Sequence, residues 1–161
     1  MIILGIDPGI ASTGYGVLKK LEGNKLACLG FGCIETPPGL EHPARLAQIR
    51  EALIRLIEKY RPDRGAVEQL FFAKNTKTAL SVAHARGVAL ETLHTHGVLV
   101  QEYTPLQVKQ AITGYGRAEK LQVQKMVQIL LALRAIPKPD DAADALAIAI
   151  CCAHTIRGIE L

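Results

Sequence analysis

The chain has 161 residues, 49% of them apolar and 21% charged, with 19 Lys and Arg against 15 acids for a net charge of +4. That length suits one compact domain over residues 1–161 and excludes a large two-domain enzyme, and the apolar share supports a full core and excludes a disordered chain. With aromatics at 4% and no Trp, the core is aliphatic. The mild positive balance permits a nucleic-acid partner without demanding one.

No run is long and apolar enough to cross a bilayer. The start, MIILGIDPG, lacks the basic segment and cleavage site of a signal peptide. Cys28, Cys33, Cys151 and Cys152 show neither zinc-ligand spacing nor a secreted disulfide pattern. A reduced protein of the cytoplasm, with no membrane partner, is the expectation. Cys28 and Cys33 sit five apart in one predicted strand, which places them on opposite faces.

Residues 2–7 (IILGID) form an apolar run ending in an acid, the pattern of a buried central strand. PGIASTG then supplies turn chemistry. GYGVLKK and KLACLGFGCIET read as two further strands, with Gly23-Asn24 as the hairpin turn between them. From Pro43 to Tyr60 the period becomes helical, and Leu46, Ile49, Leu53, Leu56 and Ile57 make one apolar stripe. GAVEQL (65–70) is a fourth strand. Residues 78–95 are a helix rich in Ala and Val, apolar on more than one face, and VLVQEY (98–103) is a fifth strand. Helices follow at Pro105–Ile112, at about Glu119–Arg134, and from Asp141 to His154. Three strands in a meander, then parallel additions through helical crossovers, predict an α/β fold. It is a mixed five-stranded sheet with helices on both faces.

Few acids stand in apolar surroundings. Asp7 closes the first strand and Glu68 lies near the end of the fourth. A lone buried carboxylate costs several kcal/mol, so each needs a partner, either a basic side chain or a metal ion. Asp141 and Asp144 stand three apart at the start of the last helix, about 4.5 Å apart along its axis. Helix capping, with Asp140 as N-cap, is the bland account of those acids. The alternative is that two strand-end acids and two helical acids converge on one point. Such an oxygen-only set, with no His or Cys cluster, suits Mg²⁺ or Mn²⁺ rather than zinc. Two ions roughly 3.5–4 Å apart would serve a phosphodiester displacement, which makes metal-dependent nuclease chemistry the natural function.

GIDPGIASTGYGV, AVEQLFFAKN, VKQAITGYGRAEKLQV and DAADALAIAI, in that order along most of the chain, resemble the RuvC family of bacterial Holliday junction resolvases. The resemblance implies a ribonuclease H-like fold and a homodimer. It implies Mg²⁺-dependent, symmetric nicking of four-way DNA junctions in recombination and repair, with two ions per subunit, Mn²⁺ as a substitute, and the RuvA–RuvB branch-migration complex as partner. By motif, the metal-binding acids are Asp7, Glu68, Asp141 and Asp144. Asp141 is chosen over Asp140 because it keeps the family spacing, while Asp140 follows Pro139 and suits the first turn.

Also by motif, Phe71 would stack on bases opened near the crossover, a contact worth roughly 1–3 kcal/mol per base. Lys109 and Lys120 would lie near the scissile phosphate and share the catalytic role. Lys74, Asn75, Lys77, Arg86 and Arg117 are candidate contacts to the DNA backbone. The helix at 78–95 is the candidate dimer interface, with His84 buried there. The five histidines form no ligand set.

Three other readings compete. One is a nuclease of the same fold acting on RNA–DNA hybrids or plain duplex. Another is a junction-binding module without activity. The third is a nucleotide-binding regulator of the actin-like type, since IDPGIASTGYG also resembles their phosphate loop. Such proteins need a second domain that 161 residues do not hold.

Overall fold

In the computed structural model, residues 1–69 and 76–156 are described. The described strands are β1 (Ile2–Asp7), β2 (Ser12–Lys20), β3 (Leu26–Glu35), β4 (Arg64–Glu68) and β5 (Leu99–Tyr103), and they form one sheet in the order β3-β2-β1-β4-β5. β1 pairs antiparallel with β2 and parallel with β4, and β4 pairs parallel with β5. The meander and parallel additions expected from the sequence are therefore present. The apolar run of β1 is explained by its central place, where both faces are covered.

The helices are α1 (His42–Tyr60), α2 (Thr76–Thr95), α3 (Pro105–Thr113), α4 (Lys120–Leu130) and α5 (Asp140–Thr155). α1 and α2 cover one face, where Ile49, Leu53, Ile57, Ala89 and Leu93 pack with Leu4, Ile6, Val17 and Val67. α5, with α3 and α4 outside it, covers the other, where the core holds Ile3, Leu18 and Ala66. No helix among the described residues is long and apolar enough to cross a membrane.

Local chemistry sets the ends. Arg61 caps α1 in the left-handed region at φ 48° and donates its N–H to Ile57 O at 2.8 Å, ahead of Pro62. Thr104 and Gln107 form a reciprocal capping box on α3, which stops at Gly114 with φ 73°. α4 ends at Leu130, four residues short of the expected Arg134, because Ala132 turns to φ 49°.

The β2–β3 turn has Gly23 and Asn24 at positive φ, as expected, within a short 3₁₀ turn. One expectation is corrected in β3. Leu18 pairs with Cys28 but Val17 pairs with Gly30, so Leu29 is an extra residue in the strand. That bulge shifts the alternation by one. Cys28 packs in the α5-side core, and Cys33 also reaches that side, beside Asp141 and the backbone of Ala142. The two thiols share a face.

Candidate active site

The sheet and α5 bring the acids together. Ile6 of β1 pairs with Val67 of β4, and the next residue along each strand is an acid, Asp7 and Glu68. Across β1, Asp7 pairs with Gly14 of β2. A Cβ at Gly14 would run into the main-chain carbonyl of Asp141, and one at Gly5 would lie 2.9 Å from the Ala149 methyl. Strand glycines facing helix alanines let α5 lie directly on the sheet. Its N-terminal turns then reach the strand ends. Asp7, Asp141 and Asp144 each place one carboxylate oxygen within 4.8 Å of the others. Glu68 and Asp144 line the same cleft of about 220 Å³, with Pro105, Val108, Lys109, Lys120 and Val123 around them.

Burial, followed by the charges of Glu68, Asp144 and Asp141, holds the Asp7 carboxyl well above the usual carboxylate range. Burial and the charge of Asp144 push Glu68 up to about 7, against the opposing pull of Lys109 and Lys120. Asp144 is raised chiefly by burial, while a hydrogen bond from Lys120 works the other way. These acids raise one another, and Lys109 and Lys120 offset that only in part.

Lys120 lies at the mouth of the cleft, its Nζ 3.0 Å from Asp144 Oδ2 and 3.6 Å from Asp140 Oδ2. Burial opposes its charge, yet the Asp144 hydrogen bond and the charges of both aspartates leave it more basic than a free lysine. Asp140 is set apart from the cluster. Lys138 Nζ donates to Asp140 Oδ1 at 2.9 Å, and that hydrogen bond is the main reason the Asp140 carboxyl is lowered. Asp140 is the first residue of α5, Pro139 takes the N-cap position, and no side chain caps the helix, so the N-cap reading of Asp140 is corrected.

The remaining expected residues are placed less evenly. Arg117 is exposed in the turn between α3 and α4. Phe71, Lys74 and Asn75 lie outside the described residues, and Lys77 falls in the first turn of α2 with its side chain likewise outside them. Arg86 was expected to contact a DNA phosphate, but its guanidinium is turned inward. Nε donates to the Glu68 carbonyl at 3.0 Å and Nη2 pairs with Glu102 Oε2. Glu102, near the end of β5, draws it there. His84 is exposed in this chain, where its Nδ1 meets Nε2 of His42 at 2.9 Å.

Sequence reading missed Glu102, although its signal was that of Asp7 and Glu68: an acid at the end of an apolar parallel strand. It also missed Lys138, which stands only two residues before Asp140.

The donor set fits a hard divalent cation. Asp7, Asp141 and Asp144 form a cluster of carboxylate oxygens, and among the described residues no His or Cys joins it. The raised acids supply a reason to bind one, since a cation would relieve their repulsion.

The family model for Crossover junction endodeoxyribonuclease RuvC matches residues 3–152. The protein of that name from Alkaliphilus oremlandii is 56% identical over 161 residues, covering 100% of this chain and 98% of that one. Its counterpart from Alkaliphilus metalliredigens is 57% identical over 155 residues, or 96% and 94% of the two chains. The structure of Thermus thermophilus RuvC in complex with Holliday junction substrate is 37% identical, covers 94% of this chain and 92% of that one, and superposes with a TM-score of 0.88. The sheet order with helices on both faces is thus the ribonuclease H-like arrangement. The match spans both acid-bearing strands and the acid-bearing end of α5, and on it the chain belongs to the RuvC family of crossover junction endodeoxyribonucleases.

Proposed function

We propose that the protein resolves four-way DNA junctions by paired, symmetric phosphodiester nicks during recombination and repair. One observation carries the reading: acids from β1, β4 and α5 meet beside a cleft whose other wall presents Lys109 and Lys120. Asp7, Glu68, Asp141 and Asp144 would hold two Mg²⁺ ions, with Mn²⁺ as a substitute. When bound, such ions supply Lewis-acid charge for the attack of water and the departure of the 3′ oxygen.

The protein's own groups do the rest. The carboxylates fix where the positive charge sits. Lys120, kept protonated by Asp144 and Asp140, and Lys109 face the scissile phosphate and offset the negative charge that grows in the transition state. Arg117, exposed in the turn between α3 and α4, is a backbone contact.

Two matched cuts need two sites, which a two-fold dimer provides. α2 is the proposed contact. Its inner face packs beside α1 through Ala85, Ala89 and Leu93, Arg50 pairs with Glu91 at 3.7 Å at the exposed edge of that contact, and its Leu80 is 70% exposed. Residues 1–161 act as one nuclease domain, in the cytoplasm, where the four free cysteines suit a reducing milieu. The RuvA–RuvB complex is the proposed partner.

A cleavage panel tests the substrate. In Mg²⁺ the protein should nick a synthetic four-way junction at symmetric positions and leave linear duplex and RNA–DNA hybrid intact. Preferential cutting of the hybrid would overturn the junction reading and leave a nuclease of another specificity.

A further inference from the structure

We propose that Arg86 and Glu102 form a clamp that positions Glu68 for the reaction, so that Arg86 acts through the main chain of a site acid rather than on the DNA. This inference rests on the nuclease reading above.

Glu68 is the last residue of its strand. A side chain at a strand end has main-chain neighbours on one side only, so its direction depends on what holds the next peptide. Two hydrogen bonds do so here. Gln69 N donates to Tyr103 O at 2.8 Å, which extends the β4–β5 ladder past the acid. Arg86 Nε donates to Glu68 O at 3.0 Å. The same guanidinium pairs through Nη2 with Glu102 Oε2, with side-chain exposures of 19% for the arginine and 37% for the glutamate.

One planar group thus ties α2, the end of β4 and the end of β5 together. Only a fork with fixed N–H directions spans both acceptors, and a lysine ammonium does not reproduce it. The grip is on the carbonyl of Glu68, while the charges that act on its carboxyl are those of Asp144, Lys109 and Lys120. Arg86 therefore sets where the carboxylate stands without neutralising it. The largely covered guanidinium is also badly placed to meet a phosphate.

The two roles separate cleanly. A phosphate contact, when lost, weakens junction binding across sequences and lowers the salt slope by about one. A lost positioning contact slows cutting and weakens the cation site with binding unchanged.

The experiment compares wild type with Arg86→Lys, Glu102→Gln and the double variant, all as full-length protein. It reads three quantities: Mn²⁺ affinity of the DNA-free protein by calorimetry, junction affinity in Ca²⁺, and single-turnover cutting in Mg²⁺. Glu102→Gln covers the case in which Arg86→Lys folds poorly. Each single variant is expected to lose roughly 10–100-fold in cutting and about tenfold in Mn²⁺ affinity, with junction affinity within about twofold. The double variant should lose no more than the worse single one, because the pair works as a unit.

Wild-type Mn²⁺ affinity and cutting in both single variants would overturn the clamp. So would a loss of cutting that tracks a loss of junction affinity. Wild type that neither binds Mn²⁺ nor cuts would overturn the nuclease reading and the clamp with it.

Discussion

The two faces of the sheet are packed by different rules. On the α1–α2 face, Leu4, Ile6, Val17 and Val67 meet Ile49, Leu53, Ile57 and Leu93, large aliphatic side chains filling a broad layer. On the other face the closest contact is small against small, with Gly5 and Gly14 beneath Asp141, Ala145 and Ala149 of α5. Large side chains can shift rotamers to absorb a change. Backbone pressed on backbone cannot. All four acids point to the face built without slack, and the tolerant face carries none of them. Precision on the α5 side serves the site, while bulk on the other side serves stability.

Substitutions where α5 lies on the sheet should change cutting far more than folding, and those in the aliphatic layer of the other side, away from the Arg86–Glu102 pair, the reverse. The largest effect is expected from Asp7→Asn. Cutting should fall at least about a thousandfold, the scale of several kcal/mol of transition-state stabilisation. Junction binding should hold or tighten, because an anion facing phosphates is gone. The same change relieves buried repulsion and should stabilise the cation-free protein by roughly 0.5–2 kcal/mol, read by thermal melting in a chelator. A melting temperature that falls would show that Asp7 is not under the strain inferred here.

Gly14→Ala comes next. The new methyl would force α5 off the sheet at Asp141. A misplacement of about 1 Å is worth about a hundredfold in rate, beside about 1–3 kcal/mol of overpacking. Cutting per folded molecule, scored after measuring the folded fraction, separates the two. Lys120→Ala should slow cutting by roughly a hundredfold and weaken junction binding much less. Equal losses in both would make it a simple phosphate contact.

A pH series gives a smaller, graded effect. Burial and the charge of Asp144 push the folded Glu68 carboxyl up to about 7, from 4.5 for an ordinary glutamate. Its protonated form stabilises the folded, cation-free chain. That contribution is full below pH 4.5 and is lost as the pH rises through about 7. Cation binding needs the ionised form, so Mn²⁺ affinity runs the opposite way. It should fall by up to about tenfold per unit as the pH drops below 7. An affinity flat from pH 8 to 6 would remove Glu68 from the site.

Smallest for cutting is Leu53→Ala, on the tolerant face. It should cost about 2–5 kcal/mol of stability and leave cutting per folded molecule unchanged at low temperature. A parallel loss of rate would break the contrast between the faces.

Much of this was legible in the chain, for identifiable reasons. Strand and helix order follow from apolar period and turn residues, which are local signals. Asp7 and Glu68 stood out because an acid inside an apolar run contradicts its surroundings, and Asp141 and Asp144 because helical spacing puts them on one face. The family spacing selects Asp141 over Asp140, but the hydrogen bond from Lys138 that draws Asp140 outward shows only in the structure. The bulge at Leu29, which reverses the relation of Cys28 and Cys33, leaves no mark in composition. The inward turn of Arg86 depends on Glu102, sixteen residues away and joined to it only by the fold. Local chemistry shows in a sequence, whereas pairing across elements does not.

The most direct test is cutting of a synthetic four-way junction in Mg²⁺ by wild type and Asp7→Asn side by side, with binding measured for both. The account predicts paired symmetric nicks by wild type alone and equal or tighter binding by the variant. Cutting by Asp7→Asn at the wild-type rate would contradict it, because the acids that β1, β4 and α5 bring together would then not be the site of the chemistry.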